Sequence, residues 1–423
     1  MAGVPYIGSM TIRSDILVAG AGAAGLTTAI ALAGSGFSVT VAGGLDIRRN
    51  GRTVALFEAS LRLYRSLGLW ERLEPLSNPL RRIRLIDDTN NLFRIPPVEL
   101  EAAEIGHPAF GANIENAALV EALAVIARET AGVTLIDDML VDYVNHEDEI
   151  DGRLLSTGER LAASLLVGAD GRGSQVRAYA DVGPREWRYK QTAITALLRH
   201  EKPHRSTSTE FHTRSGPCTL VPMKPDPSAP DGLRNRSSLV WLMSPEEAER
   251  RMALSDAELA VEIENQVHSL HGRMALEGPR GAFPMSGMAC DSLVAERIAL
   301  VADAGHFYPP IGAQGLNLGL RDVAQLVDSL GEYGRTDPGS RKALTDYDKR
   351  RRGDVALRTL SVDAMNRSLL IHALPVDFIR SAGLAAMASI GPLRRALMRE
   401  GVAPPGRLPR LMRDARPEAA SQT

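Results

Sequence analysis

Hydrophobic and polar positions in the first 45 residues follow two different patterns. Ile16 to Ala19 is a short continuous apolar run, which predicts a buried strand. A glycine turn follows, then an apolar stretch that predicts a helix from about Ala23 to Gly34, and then a second strand from Ser38 to Val41. This order of elements predicts one βαβ unit.

Helical and strand patterns alternate from there to about residue 182. A helix is predicted from Glu58 to Leu67, and "RIRLID" and "LFRI", between Leu80 and Phe110, have the period-2 pattern of antiparallel strands. "NIENAALVEALAVIARETAG" predicts an amphipathic helix that ends at Gly132. Strands resume in "VTLID" and "LVDYVNHED", and "SLLVGADG" predicts a buried strand that runs into a turn.

Strand patterns dominate from about Gly183 to Phe283, as in "TAITALLRH", "CTLVPM" and "SSLVWLM". The Pro-rich segment Lys224 to Asn235 predicts an exposed hairpin tip. A polar helix is predicted from Pro245 to about Leu270. "RIALVADAG" then returns to the first sheet, and the chain from Asp337 onward is expected to be helical, with a loose basic end.

Composition narrows the functional classes. The 423 residues carry 49 basic and 51 acidic side chains, a formal charge of -2 that gives no reason to expect a nucleic-acid partner. Cys218 and Cys290 are too isolated for a metal or disulfide framework, and we expect unreactive thiols in a reducing cytoplasm. The 30 residues between Asp15 and Asp46 carry no charge, but their glycines argue against a membrane span. Without a clear basic leader, no signal peptide is predicted either.

Three glycines complete a G-x-G-x-x-G motif between the first strand and the first helix. Gly20 permits the tight turn, Gly22 lets a pyrophosphate approach the backbone, and Gly25 lets the helix pack closely on the strand. The free N–H groups and the dipole of the helix N-terminus favour an anion there. The motif therefore predicts dinucleotide binding, with a plain packing turn as the alternative.

The usual partner of this motif, an acid at the end of the second strand, is absent. Gly43 stands at that place, and Asp46 lies three residues further on, either as a substitute or as a solvated loop residue. Losing a charged hydrogen bond costs roughly 1.5 to 3 kcal/mol, about 10- to 100-fold in affinity. A cofactor with many other contacts can still bind.

Two further motifs carry a family resemblance. "LLVGADGRGSQVR" and "VADAGHFYPPIGAQGLNLGLRD", together with the first glycine motif and in this order, resemble the aromatic-ring hydroxylases, the single-component FAD monooxygenases of the p-hydroxybenzoate hydroxylase type. Within that group, "GRTVALFEASLRLYRSLGLW", "QGLNLGLRDV" and the C-terminal "LPVDFIRSAGLAAM" and "PLRRALMREG" are similar to the ubiquinone-biosynthesis hydroxylases. The resemblance covers nearly the whole chain.

The resemblance implies FAD as cofactor. Asp303 is the acid that would bind the ribityl hydroxyls, the stretch from Pro310 to Asn317 would lie against the flavin ring, and Arg52 and Asn116 would face FAD. Asp170 matches a motif linked to FAD and NAD(P)H, although a plain turn after the strand is its alternative role. The cofactor-binding residues implied in this way are Gly20, Gly22, Ala23, Ala24, Gly25, Arg52, Asn116, Asp170, Gly171, Arg172, Asp303, Pro310, Gly312, Ala313, Gln314, Gly315, Leu316 and Asn317.

The resemblance says less about the substrate side. Phe307 and Tyr308 are candidates for the pocket above the flavin, with core packing as the alternative. His306 is a framework residue in the resembling motif and not the expected catalytic base. No catalytic side chain and no metal ligand is assigned. Because no second glycine motif follows a strand, NADPH or NADH is expected to bind transiently as reductant.

The expected fold class is α/β: a Rossmann-like FAD-binding domain, a substrate domain with a mixed or antiparallel sheet, and a helical C-terminal tail. The expected segments are 1–79, 111–182 and 284–336 for the FAD-binding domain, 80–110 and 183–283 for the substrate domain, and 337–423 for the C-terminal region.

Three positions depart from the family pattern. Gly43 replaces the acid, Ala302 stands where the family usually has glycine, and Gly312 and Ala313 appear in the reverse of the usual order. If the backbone at Ala313 must be left-handed, its Cβ costs roughly 1 to 2 kcal/mol. These departures leave a non-catalytic accessory subunit of a quinone-biosynthesis complex open as an alternative.

The expected function is hydroxylation of an aromatic ring, that of a polyprenylated phenol in ubiquinone biosynthesis, with NAD(P)H and O₂. A flavin-dependent polyprenyl reductase stays open, whereas the three tryptophans do not form the Trp-x-Trp motif of the flavin halogenases. The arginines after Ile371 suit a peripheral contact with the inner face of the membrane. Docking on the protein's own core, in a homodimer or in a biosynthetic complex suits them equally.

Overall fold

The computed structural model describes residues 11–45, 47, 51–89, 96–229, 231–309, 314–370, 390–402 and 408–413. The strands in these residues are β1 Ile12–Ala19, β2 Val39–Ala42, β3 Thr53–Phe57, β4 Ser77–Leu80, β5 Arg82–Asp87, β6 Val98–Glu101, β7 Gly111–Glu115, β8 Val133–Ile136, β9 Leu140–Asn145, β10 Ile150–Leu154, β11 Arg160–Gly168, β12 Pro184–His200, β13 Thr207–Thr213, β14 Gly216–Met223, β15 Asn235–Met243, β16 Met274–Cys290, β17 Val294–Ala295, β18 Ile298–Leu300 and β19 His306–Phe307. The helices are α1 Ala23–Ala33, α2 Glu58–Ser66, α3 Trp70–Leu73, α4 Asn116–Glu129, α5 Gln175–Tyr179, α6 Pro245–Met252, α7 Asp256–Gln266, α8 Gln314–Tyr333, α9 Arg341–Leu370 and α10 Gly391–Val402.

The first sheet has the parallel centre expected of a Rossmann-like domain. Its order is β17-β18-β11-β1-β2-β8, and β10 and β9 extend it from β11 as an antiparallel hairpin. The strands β18, β11, β1, β2 and β8 are parallel to one another. The pairing of β18 with β11 confirms that "RIALVADAG" returns to this sheet.

The second sheet is mostly antiparallel and has the order β19-β16-β12-β15-β14-β13-β5-β6. The period-2 segment "RIRLID" forms β5, which pairs antiparallel with β6 and parallel with β13. "LFRI" lies outside the described residues. β16 runs continuously from Met274 to Cys290, so the domain boundary expected at 284 falls within a strand.

Two helix predictions are wrong in part, one in its first residue and the other in its continuity. Asn113 pairs with Ala55 and Asn78, so "NIE" belongs to the small β3-β7-β4 sheet and the helix begins only at Asn116. The polar helix after residue 245 is two helices, because Ser255 and Glu258 form a capping box that starts α7.

The basic end of the chain is not loose over residues 408–413. Met412 is fully buried in the main core, and the backbone N–H and Nε of Arg410 donate to Asp328 on α8 at 2.9 and 2.8 Å. Burial of the Met412 side chain and the charged hydrogen bonds to the Asp328 carboxylate therefore hold this turn against the core.

Both thiols are buried. Burial raises the pKa of Cys290 to about 11 and raises that of Cys218 well above its ordinary range. In the described part of the chain, no helix combines the length and apolar character needed to cross a membrane.

Three buried histidines lie at the end of the second sheet. The ring of His200 stacks on that of His271 at 4.5 Å and meets that of His204 at 5.9 Å. Burial lowers the pKa of all three, to about 4 for His200 and to about 3 for His271, where the positive charges of Arg84 and Lys202 add to the effect. The cluster is therefore neutral at physiological pH.

The histidine cluster predicts a stability that falls with acidification. The unfolded chain binds protons at the ordinary imidazole pKa near 6.5, whereas folded His200 resists protonation to about pH 4. The contribution of His200 to the free energy of unfolding is therefore fully present above about pH 6.5, and it is lost as the pH falls from there toward 4. In His200→Gln, we expect the loss between about pH 7.5 and 5, measured by urea denaturation, to be roughly 2 kcal/mol smaller. An equal loss in both proteins would contradict this assignment.

Candidate active site

The glycine turn between β1 and α1 has the geometry that the motif predicts. Gly20 has a φ of +108°, and a Cβ there would lie 2.4 Å from the carbonyl oxygen of Ala169. A Cβ on Gly25 would lie 1.9 Å from the carbonyl oxygen of Gly20. A Cβ on Gly22 would meet no atom within 4 Å, so the space beside the helix N-terminus is open. Gly20 and Gly25 shape the turn, and Gly22 leaves room for a ligand.

Gly43 has a steric reason for lacking a side chain. A Cβ at this position would lie 2.4 Å from the amide nitrogen of Ala21 and 2.7 Å from the Cα of Gly20. An acid therefore cannot stand here unless the glycine turn moves. Asp46, its proposed substitute, lies outside the described residues.

A groove with a volume of about 400 Å³ runs from this turn past the start of α8. The expected cofactor-binding residues that line it are Gly22, Ala23, Ala24, Arg52, Asn116, Gly171, Arg172, Asp303, Gly315 and Leu316. The sequence analysis did not single out the lining residues Gly44, Thr53, Val54, Ala55, Val120 and Ala169, although Thr53, Val54, Ala55 and Ala169 lie within the quoted motifs.

Asp303 and Arg172 form an ion pair on the wall of the groove. The Nε of Arg172 lies 3.4 Å from the Oδ2 of Asp303, and its guanidinium lies 4.8 Å from the ring centroid of Phe307. The Asp303 side chain is 34% exposed, so its carboxylate stays accessible from the groove. Tyr308 also lines the groove. Phe307 contacts Arg172 and otherwise packs in the main core.

Two expected cofactor ligands direct their polar atoms into the protein. The Oδ2 of Asp170 accepts the backbone N–H groups of Gln175 and Val176 and so caps α5. The side-chain oxygen of Asn317 accepts from Phe57 N and Ser60 Oγ at 2.8 and 2.7 Å, and its amide donates to Ala55. Asp170 thus fixes the turn between Ala169 and Gly171, and Asn317 fixes the backbone at Ala55. Ala55, Ala169 and Gly171 all line the groove.

Four further expectations concern the loop before α8. Pro310, Gly312 and Ala313 lie outside the described residues. Gln314 is the first residue of α8, and the structure describes its backbone only.

Ala302, which stands where the family usually has glycine, has a left-handed backbone conformation with a φ of +52°. It packs against α8 at Gly319, where a Cβ would lie only 2.4 Å from the Cβ of Ala302. Gly319 thus provides the space that the extra methyl group at position 302 requires.

This pair predicts opposite effects of two small substitutions. Ala302→Gly removes the left-handed Cβ and is expected to raise the free energy of unfolding by about 1 kcal/mol. Gly319→Ala is expected to lower it by roughly 1 to 3 kcal/mol through overpacking. Urea denaturation of both variants and of the double variant measures their coupling. The cost of Gly319→Ala should fall when residue 302 is glycine, and strictly additive effects would refute the contact.

A buried charge network fixes the backbone next to Asp303. Asp322 accepts the N–H of Ala302 at 2.9 Å, lies 2.7 Å from the Nε2 of His306, and accepts from the Nε of Arg351 at 2.7 Å. Burial raises the pKa of Asp322, but His306 and Arg351 outweigh it and hold the pKa below its usual value. His306 is only 1% exposed, a position that suits a framework residue.

A second cavity of about 350 Å³ adjoins the groove. The second sheet forms most of its wall, with Ala193 and Thr195 from β12, Ser238 and Val240 from β15, and Phe283 and Met285 from β16. Arg52, Thr53 and Arg172 line both this cavity and the groove. The two spaces therefore meet at these three residues.

Comparison with known proteins adds to this geometry. The family profile described as FAD binding domain matches residues 13–361. Ubiquinone hydroxylase UbiL from Rhodospirillum rubrum is 34% identical over 94% of this chain and 91% of its own, and 3-demethoxyubiquinol 3-hydroxylase from Escherichia coli is 29% identical over 91% and 97%. The chain belongs to the FAD-dependent aromatic hydroxylases. It is thus an FAD-dependent monooxygenase that uses NAD(P)H, which confirms the resemblance of the motifs and the expected cofactor.

The fold agrees with this membership. The crystal structure of p-nitrophenol 4-monooxygenase PnpA from Pseudomonas putida DLL-E4 superposes with a TM-score of 0.75 at 15% identity, and the match covers 92% of this chain and 98% of PnpA. The Rossmann-like fold class predicted from the sequence is confirmed.

The groove fits FAD in its donor and acceptor chemistry. Open space beside Gly22 at the N-terminus of α1 suits a pyrophosphate, and the carboxylate of Asp303 suits ribityl hydroxyls. The first turn of α8, at Gly315 and Leu316, would present its positive dipole end to the flavin ring. Bound FAD supplies the redox chemistry that activates O₂, and the protein's tasks are to orient the ring and to exclude water.

Proposed function

We propose that the substrate is a polyprenylated phenol on the route to ubiquinone, and that its ring occupies the second cavity. The meeting of this cavity with the groove at Arg52, Thr53 and Arg172 carries the proposal, because a ring bound there lies next to the flavin site. Its volume of about 350 Å³ lies within the range of roughly 300 to 1,000 Å³ typical of small-molecule pockets. The names of two relatives, ubiquinone hydroxylase and 3-demethoxyubiquinol 3-hydroxylase, support the choice of ring.

The proposed reaction replaces one ring hydrogen by a hydroxyl group. One O₂, one NAD(P)H and one proton are consumed for each ring hydroxylated, and water and NAD(P)⁺ are released. The apolar wall formed by Val240, Phe283 and Met285 suits the ring and excludes water from it.

A direct test uses the purified, flavin-loaded protein with a short-chain prenylated phenol under isotopically labelled O₂. We expect NAD(P)H oxidation coupled to a product that carries one labelled oxygen atom. NAD(P)H oxidation that yields only hydrogen peroxide with a range of phenols would overturn the proposal. A deletion strain that accumulates an unhydroxylated quinone precursor would support it independently.

We also propose that α10 docks on the cytoplasmic face of an anionic membrane. One side of this helix is anchored, because Met398 is 5% exposed in a cluster with Val98, Leu100 and Phe110. Outward-facing Leu393 and Leu397 are 41% and 50% exposed, and Ile390, just before the helix, is 50% exposed.

The positive charge of α10 favours an anionic lipid surface as the partner of this apolar stripe. The helix carries three arginines against one acid, Glu400: Arg394 is held by Glu104 on the anchored side, and helical spacing places Arg395 and Arg399 on the polar face opposite the stripe. A cationic polar face opposite an exposed apolar stripe is the pattern of helices that lie in an anionic interface.

Vesicle flotation tests the docking of α10. We expect binding to phosphatidylglycerol vesicles but not to phosphatidylcholine vesicles, and loss of binding in Leu393→Asp/Leu397→Asp. Leu76→Asp, at a leucine that is 41% exposed elsewhere, is the matched control. If the double variant instead converts a dimer to a monomer and leaves vesicle binding unchanged, the stripe is covered by a second copy and the proposal is wrong.

A further inference from the structure

Three of the hydroxyl groups that line the second cavity lie close together, whereas that of Ser286 on β16 lies toward the opposite end. On β12, Ala193 is followed two residues later by Thr195, and on the antiparallel neighbour β15, Val240 is preceded by Ser238. Side chains two residues apart share a face of a strand, so both hydroxyls lie toward the His200 end of the sheet. Thr53, from β3, adds a third hydroxyl at the border with the groove.

Thr53 and Ser238 are hydrogen-bonded to each other. Their hydroxyl oxygens are 2.8 Å apart, and either one can be the donor. A pair of hydroxyls joined by one hydrogen bond keeps one O–H group and several lone pairs for a further partner. The pair also joins β3, which begins directly after Arg52, to the second sheet.

Thr195 has an unmet hydrogen-bonding group. Its Oγ1 is shielded from solvent and has no hydrogen-bond partner among the described residues, although Thr195 lines the cavity. Buried polar groups are nearly always satisfied in folded proteins, so an unpaired one at a cavity wall points to a ligand as its partner. Because the Oγ1 itself is shielded, a hydrogen bond to a ligand in the cavity requires Thr195 to rotate about χ1.

The lining chemistry limits what this end can bind. Among the described residues, no carboxylate, imidazole or ammonium lines the cavity, and its two cationic residues, Arg52 and Arg172, lie at the border with the groove. Neutral hydroxyl groups accept and donate, as a phenol O–H requires, and they offer no charge for a ring carboxylate.

We propose that Thr53, Thr195 and Ser238 together bind a phenolic or alkoxy oxygen on the substrate ring and so decide which ring carbon faces the flavin. This hydroxyl anchor is a positioning and specificity device, and it rests on the proposed function, which places the ring in this cavity. A site that hydrogen-bonds a substrate hydroxyl discriminates strongly against an analogue without it, because its own polar groups are then left unpaired.

The test compares binding of 2-farnesylphenol with that of farnesylbenzene, which lacks the hydroxyl, to the FAD-loaded protein by flavin absorbance titration. Thr195→Val and Ser238→Ala are each expected to weaken binding of the phenol by about 10-fold and to leave binding of farnesylbenzene unchanged. In turnover, both variants should raise KM for the phenol more than they lower kcat, and should release more hydrogen peroxide per NAD(P)H oxidised. Thr195→Ser should restore phenol binding.

Ser208→Ala provides the matched control, since Ser208 lies on β13 of the same sheet and lines neither cavity. Equal weakening of both ligands would show a structural role and overturn the anchor. If the wild type hydroxylates the phenol and both variants bind it normally, the anchor is wrong while the proposed function stands. If the wild type binds no phenol, both fall together.

Discussion

Replacement of Asp303 by alanine is expected to leave a folded protein that loses most of its FAD and about 100-fold or more of its hydroxylase activity. The carboxylate lies on the groove, and each charged hydrogen bond it would make to a ribityl hydroxyl contributes roughly 1.5 to 3 kcal/mol. The variant also leaves the guanidinium of Arg172 without this acidic partner. Visible absorbance per protein after desalting, and the dissociation constant from flavin fluorescence, measure the loss.

Two comparison variants make this result specific. Asp291→Ala removes a carboxylate that is 72% exposed and pairs with Arg185 on the surface, so it should retain FAD and activity. Asp303→Asn keeps the shape and one acceptor, and its affinity should lie between those of the alanine variant and the wild type. An alanine variant that holds FAD as tightly as the wild type would remove Asp303 from the cofactor site.

Replacement of Asp322 by alanine is expected to lower the free energy of unfolding by about 3 kcal/mol, because it removes one of the two carboxylates that pair with buried Arg351 and leaves the partly exposed Asp354 as its acidic partner. Arg351 is 3% exposed, and the same carboxylate also accepts the N–H of Ala302. Chemical denaturation of FAD-free protein measures this change separately from cofactor loss.

The exposed pair of Glu332 and Arg350 provides the contrast. Its ion-pair distance is 3.0 Å, but the two side chains are 48% and 39% exposed, so Glu332→Ala should cost at most about 1 kcal/mol. Similar losses in Asp322→Ala and Glu332→Ala would show that the buried network contributes little to stability.

Much of the fold was predictable because its signals are local. The buried runs of β1 and β11 and the glycine turn require only sequence-adjacent residues to be recognised. The start of α4 was misplaced because "NIE" is held in a strand by β3 and β4, partners distant in sequence. The docking of Met412 was missed for the same reason, since α8 lies some 80 residues earlier in the chain.

The candidate site was predictable to the extent that its residues belong to motifs. Gly22, Asp303 and Arg172 lie on the groove as the motifs imply. The second cavity was not predicted, because Thr195 and Ser238 belong to period-2 strands in which a hydroxyl carries no distinctive signal. The left-handed backbone of Ala302 was also unpredictable, since only its fit against Gly319 makes it tolerable.

The network at Asp322 ties the backbone beside Asp303 to Arg351, which lies 48 positions later in the chain. Damage at this arginine would therefore behave genetically like a defect in flavin retention, although the residue lies outside the groove. Because a ligand that binds only the native state shifts the folding equilibrium by mass action, surplus riboflavin in the medium should rescue temperature-sensitive alleles at position 351.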